Sequence, residues 1–271
     1  MTMQTQEQVS PGHAVPRIDV WCAFFGEIGL ESLHEAYRGV LSEAERLQEQ
    51  RFHFAVDRRR FLVTRALVRT VLSKYADIEA RDWTFTTNAY GRPAISNPDV
   101  IAGRISFNVS HTKSLIVLAV THGLALGIDT ENAIDREAPL ELVSRFFAVP
   151  EVNAMTELPL AARQQRFYEY WTLKESYIKA RGMGLSIPLE KFHFSFQGSD
   201  QVSLSVDPVL NDPARWWIWQ FEVLDTYALA LCCERIAAAV PEVRFRKIVP
   251  MRFDEPLACR LVRSSASMPP P

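Results

Sequence analysis

The residues whose types and spacing most directly suggest chemistry lie in Gly127-Ile128-Asp129-Thr130-Glu131. On an extended chain positions i and i+2 share a face, so Asp129 and Glu131 point one way and Ile128 and Thr130 the other. Two like charges about 7 Å apart at the end of an apolar run repel each other unless a cation sits between them. A solvated strand end would carry the same pattern. A second set lies in Trp171-Thr172-Leu173-Lys174-Glu175-Ser176-Tyr177-Ile178-Lys179. At about 100° per residue, Tyr170, Leu173 and Tyr177 form one apolar stripe, and Trp171, Glu175 and Lys179 form its neighbour. Taken alone, Glu175 and Lys179 are an i,i+4 surface pair worth about 0.2–0.5 kcal/mol. Gly182 and Gly184 then suit a helix stop and a close backbone approach.

Phe107-Asn108-Val109-Ser110-His111-Thr112 ends a strand in an amide, hydroxyls and an imidazole, which can donate to phosphate oxygens or simply form a turn. Arg58, Arg59, Arg60 and Arg65, and separately Arg92 between Gly91 and Pro93, can grip phosphates bidentately; a solvated helix face and an exposed turn are the plain alternatives. Carboxylates suited to a hard divalent ion, combined with local arginines, point to a phosphate-ester substrate held through magnesium. The remaining histidines have no metal-ligand spacing, so no zinc site is expected.

These groups need elements to position them. Asp19–Phe25 reads as a first strand, and Ser42 with Glu45 opens a helix through a capping box. A helix is predicted from Asp57 to Tyr75 on the spacing of Phe61, Leu62, Leu67, Val68, Val71 and Leu72. Strands are predicted at 83–87, 105–110, 115–120 and 124–128, the last two forming a hairpin about His122-Gly123. Helices at 139–147 and 161–181 follow, then strands at 192–196, 202–206, 216–223 and 227–233. Phe61-x3-Arg65-x-Leu67 lies over Phe167-x3-Trp171-x-Leu173 without a gap, a thin sign of duplication and hence of two like lobes with a cleft between them.

The whole chain supports this. Of 271 residues 48% are hydrophobic and 23% charged, enough to bury a core, and the formal charge of −2 gives no basic field for nucleic acid. Cys22, Cys232, Cys233 and Cys259 lack paired spacing and read as reduced packing residues. The N-terminus has no secretory apolar segment and no run approaches a membrane span, so a cytoplasmic protein is expected. Residues 1–16 and 264–271 have tail composition and are left outside the fold.

In order, GRP (Gly91–Pro93), FNVSH (Phe107–His111), GIDTE (Gly127–Glu131), RFF (Arg145–Phe147) and WTLKESYIKARGMGLS (Trp171–Ser186) resemble the 4′-phosphopantetheinyl transferases, of the pseudo-dimeric, surfactin-synthetase-activating type. The likeness spans residues 43 to about 196. It implies an α+β fold of two similar lobes related by a pseudo-twofold axis, with the active site in the cleft between them. The boundaries expected are a tail at 1–16, an N-terminal lobe at 17–122, a C-terminal lobe carrying the metal site at 123–235, and an extension of unknown role at 236–271. It further implies coenzyme A as donor, magnesium, and a serine of an acyl or peptidyl carrier protein as acceptor. By motif matching Asp129, Glu131 and Glu175 are the metal carboxylates. Ser110, His111, Arg92 and Lys174 hold the nucleotide and its phosphates. Arg60, or Arg59 beside it, meets the 3′-phosphate. Glu151 falls at a further acidic family position whose role stays open.

The reaction so implied is displacement at the β-phosphorus of coenzyme A, releasing 3′,5′-ADP. Lys179 and His111 donate to oxygens that gain charge. Glu175 takes the serine proton, directly or through a metal-bound water. Arg92 stands where many relatives have lysine, and Thr130 replaces a more usual apolar residue on the side away from the metal. The rival readings are a magnesium-dependent hydrolase of the same diphosphate and a non-catalytic carrier- or coenzyme A-binding module. Carrier domains are acidic helical bundles, so apolar and basic groups are expected near the cleft. Duplicated lobes supply their own interface, and a monomer is expected. Which carrier is served, from fatty-acid, polyketide or nonribosomal peptide synthesis, is not encoded in these motifs.

Overall fold

The computed structural model describes residues 15–134, 137–212, 215–236 and 239–266; the tail expected at 1–16 lies outside it except for Val15 and Pro16. The chain opens with strand β1 (Arg17–Phe24), followed by helices α1 (Leu30–Gly39), α2 (Glu43–Gln50) and α3 (Ala55–Leu72). α2 begins as its sequence dictates: the Ser42 hydroxyl accepts from the Glu45 amide while the Glu45 carboxylate accepts from the Ser42 amide. A short hairpin of β2 (Phe85–Thr87) and β3 (Pro93–Ile95) leads to β4 (Ile105–His111) and β5 (Leu115–His122). The second half repeats the plan with β6 (Leu126–Asn132), α4 (Val143–Phe146), α5 (Val149–Thr156), the long α6 (Leu160–Arg181) and strands β7 (Phe192–Gln197), β8 (Gln201–Val206), β9 (Trp216–Val223) and β10 (Tyr227–Glu234). Gly182, at φ +67°, ends α6 in a conformation that costs a glycine little.

The duplication is plain in the strand order. β1–β5–β4 are antiparallel neighbours in one sheet, and β6–β10–β9 have the same relation in the other. Period-two alternation builds a four-layer α/β/β/α stack: Trp21 and Ala23 of β1 face α1 and α3, whereas Ile18, Val20, Cys22 and Phe24 face the other sheet. There they meet Trp217, Trp219, Phe221, Leu229 and Leu231, whose neighbours Ile218, Ala230 and Cys232 turn back onto α6. Phe61 and Phe167, aligned in sequence, both pack in the helix-facing layer of their lobe. All four cysteines are unbonded.

Two expectations are corrected. β5 and β6 do not form a hairpin: β5 pairs with β1 and β4, and β6 pairs with β10 in the other sheet. The segment around His122-Gly123 is therefore the link between lobes. The C-terminal stretch is also woven into the fold. β11 (Glu242–Val249) runs parallel to β1, β12 (Phe253–Pro256) pairs with β11, and β13 (Arg260–Ser264) joins β9 and β8. One segment thus adds strands to both sheets. Ser264, expected in the tail, is buried, and the Ser265 hydroxyl accepts from the Ile218 amide; residues 267–271 lie outside the described residues.

Candidate active site

Strands β4 and β6 come together at the seam between the lobes. The Ile128 amide donates to Asn108 Oδ1 at 2.9 Å, and the Ser110 hydroxyl donates to Asp129 Oδ1 at 2.7 Å. Lys179 reaches the same point from α6, with Nζ 2.9 Å from Ser110 Oγ and 2.6 Å from Asp129 Oδ1. Gly127 lets the helix come so near: a β-carbon there would lie 2.0 Å from the Ser176 carbonyl oxygen and 2.3 Å from the Ala180 nitrogen.

Asp129 is 5% exposed, and its second oxygen, Oδ2, is buried without a hydrogen-bond partner among the described residues. Such an orphaned carboxylate oxygen costs free energy unless something outside the chain meets it. Glu175 lies on the same helix, one turn before Lys179. Burial, and then the negative charge of Asp129, raise its carboxyl above the ordinary value, and Lys179 only partly offsets them. Glu131 is half-buried, with Thr112 Oγ1 3.5 Å from Oε2. Among the described residues no three His, Cys, Asp or Glu side chains form a ready metal cage. The charge of Asp129 thus reaches Glu175, and no cage of Asp129, Glu131 and Glu175 is preformed among the described residues. Thr130 turns away, as expected, and donates to the Ala228 carbonyl.

His111 ends β4 at the solvent. Desolvation by the surrounding atoms, then the charges of Arg60 and Lys179, push its imidazole below the ordinary value, which favours the neutral form. Of the two arginines weighed for the donor's phosphate, Arg60 therefore lies within electrostatic reach of His111. Arg59 instead donates to the Phe25 and Ile28 carbonyls and holds the loop after β1.

Two expected phosphate ligands are employed elsewhere. Lys174 has no exposed surface; its Nζ donates to the Leu189 and Phe192 carbonyls and pairs with Glu151 at 2.8 Å. Its three protons are spent inside the C-terminal lobe. Glu151 is equally buried, accepting also from the Ala148 and Phe194 amides, so it pins α5 and β7 to α6. Arg92 spans the seam, donating to the Lys179 and Ala180 carbonyls at the end of α6 and to the Leu126 carbonyl at the start of β6. It closes a helix terminus with three of its five N–H groups. In the sequence Asn108 is one amide in a polar strand end; its alternation with Ser110 is the signal that puts both on the β6 side of β4.

The chain belongs to the 4′-phosphopantetheinyl transferase superfamily. The superfamily model matches residues 125–232, and a model described as 4′-phosphopantetheinyl transferase, N-terminal, matches residues 31–123. The 4′-phosphopantetheinyl transferase Sfp of Bacillus subtilis is 32% identical over 200 residues, covering 73% of this chain and 84% of that protein. The 4′-phosphopantetheinyl transferase HetI of a Nostoc species is 31% identical over 178 residues, covering 66% of this chain and 74% of its own. The protein is accordingly an enzyme of this class, which transfers 4′-phosphopantetheine to carrier proteins. No helix among the described residues is long and apolar enough to cross a membrane.

Proposed function

We propose that this enzyme takes 4′-phosphopantetheine from coenzyme A and places it on a serine hydroxyl of an acyl or peptidyl carrier protein, releasing 3′,5′-ADP, with Mg2+. The observation that carries the reading is the meeting of Ser110, Asp129 and Lys179 at the seam, beside a buried carboxylate oxygen that has no hydrogen-bond partner among the described residues. An all-oxygen donor set with crowded negative charge suits a hard divalent cation. Asp129 and Glu175 would hold it, with Glu131 on the same face of β6 as the third ligand. When bound, the ion offsets the charge of the diphosphate.

The chain's own residues supply the rest. Lys179 Nζ donates to phosphate oxygens as they gain charge, and neutral His111 donates one N–H to the same group. Arg60 meets the donor's 3′-phosphate. The serine oxygen forms its bond to the β-phosphorus as the bond to 3′,5′-ADP breaks, and the serine proton passes to Glu175. The lobes share one interface, which supports a monomer, and sedimentation of a stable dimer would contradict it.

The test is intact-protein mass spectrometry of apo-carriers incubated with the enzyme, coenzyme A and Mg2+. A transferase raises carrier mass by one phosphopantetheine. A hydrolase consumes coenzyme A and leaves the carrier unchanged; a binding module changes neither. Glu175→Gln should abolish most turnover while coenzyme A still binds, and transfer near the wild-type rate would remove Glu175 from its role.

A further inference from the structure

We infer that Asn108 is a positioning residue for this transfer. Its side-chain oxygen, bonded to the Ile128 amide, sets β6 against β4 and so holds Asp129 on Ser110 and Lys179. The inference rests on the transferase reading above.

The seam has no backbone ladder to do this. Among the described residues β4 pairs only with β5, and β6 only with β10, so the two strands face each other as sheet edges. An unpaired amide at such an edge must find an acceptor if water cannot reach it. Ile128 is fully buried, and its amide finds Asn108 Oδ1. Asn108 is itself buried at 6% exposure. Phe107 and Val109 turn into the core beneath α3, which leaves Asn108 and Ser110 as successive residues on the opposite face. These two side chains make adjacent stitches, Asn108 to the backbone at Ile128 and Ser110 to the side chain at Asp129.

β6 is thereby held from two sides. Gly127 fixes its approach to α6, and Asn108 fixes its height on β4. Asp129 Oδ1 receives Ser110 at 2.7 Å and Lys179 at 2.6 Å, a geometry with little slack. Displacement of reacting groups by about 1 Å costs on the order of 100-fold in rate. Loss of the Asn108 oxygen leaves the Ile128 amide to seek another acceptor, and the strand moves with it.

The experiment is a kinetic cycle on the full chain, read by carrier modification under single-turnover conditions and by steady-state kinetics. Asn108→Ala should lower kcat by about 10- to 100-fold while KM for coenzyme A changes less than about threefold. In an Asp129→Asn background the same substitution should cost less than about threefold, because its effect passes through Asp129. A kcat within about threefold of wild type, or an equal fold-loss in both backgrounds, overturns the inference. If Asn108→Ala does not fold, Asn108→Ser, whose hydroxyl is too short to reach, takes its place in the cycle. Failure of the wild-type enzyme to modify any carrier would instead defeat the transferase reading.

Discussion

Gly127 of β6 lies so close to Ser176 of α6 that a β-carbon on the glycine would stand 2.0 Å from the serine carbonyl oxygen. The contact is backbone on backbone, so no side-chain rotation can relieve it. Gly127→Ala should cost about 1–3 kcal/mol of stability through overpacking. In the protein that still folds it should reduce transfer by at least about tenfold, because Lys179 and Asp129 are drawn apart. Thermal unfolding and carrier modification measure the two effects. Wild-type values for both would show that β6 and α6 do not need this approach.

Lys174 tests whether a family position holds phosphate or holds the fold. Burial pushes its ammonium down and the Glu151 carboxyl up, each against the attraction of the other. Removing one partner strands the other in the core. Lys174→Met should therefore destabilise by about 3–5 kcal/mol. Lys174→Met with Glu151→Leu should cost less than the sum of the two single changes. KM for coenzyme A in the folded single variant should stay near wild type. A raised KM with unchanged stability would return Lys174 to the phosphates.

What was legible in the sequence follows from the range of the forces involved. The Ser42 capping box, the helical stripes and the Gly182 stop are decided within a turn or two of chain, and each lies where its residues indicate. Partner choice between strands is not local. Leu115–Val120 and Leu124–Ile128 carry the same letters whether they pair with each other or separate into two sheets, and only burial of both faces decides. The charges of Arg244, Arg246 and Lys247 masked a strand that lies between β1 and β12 in the first sheet. Lys174 and Arg92 looked available because a charged letter does not reveal a partner such as Glu151, or three carbonyls brought from the other lobe. Asp129, Ser110 and Lys179, by contrast, were singled out by motif and do come together.

Arg92 joins the lobes through carbonyls at the end of α6 and the start of β6. A lysine keeps the charge that favours a helix C-terminus but offers one nitrogen where the guanidinium sends Nη1 to α6 and Nη2 to β6. Arg92→Ala should destabilise by about 1.5–3 kcal/mol, the range for hydrogen bonds to charged groups, and Arg92→Lys by part of that. Denaturant melts give the order. Equal stability of all three proteins would make the guanidinium a passive contact.

Glu45 gives the pH dependence its sign. Burial works against its ionised form, but Arg65, the Ser42 amide and Arg69 outweigh burial and lower the carboxyl below its ordinary 4.5. A carboxyl lowered on folding contributes stability in full above its unfolded value, and loses it as pH falls through the folded one. The Arg69 guanidinium is almost fully buried and also donates to the Ala80 and Trp83 carbonyls, so the network cannot rearrange into solvent. Glu45→Gln should therefore be less stable than wild type by about 3–5 kcal/mol at neutral pH, the cost of leaving a buried charge unpaired. The gap should narrow as the buffer is taken below the ordinary carboxyl value, because the wild-type network is then lost as well. Urea unfolding at a series of pH values measures it; a gap that stays constant through the acid range would mean that the carboxyl contributes only its hydrogen bonds to α2.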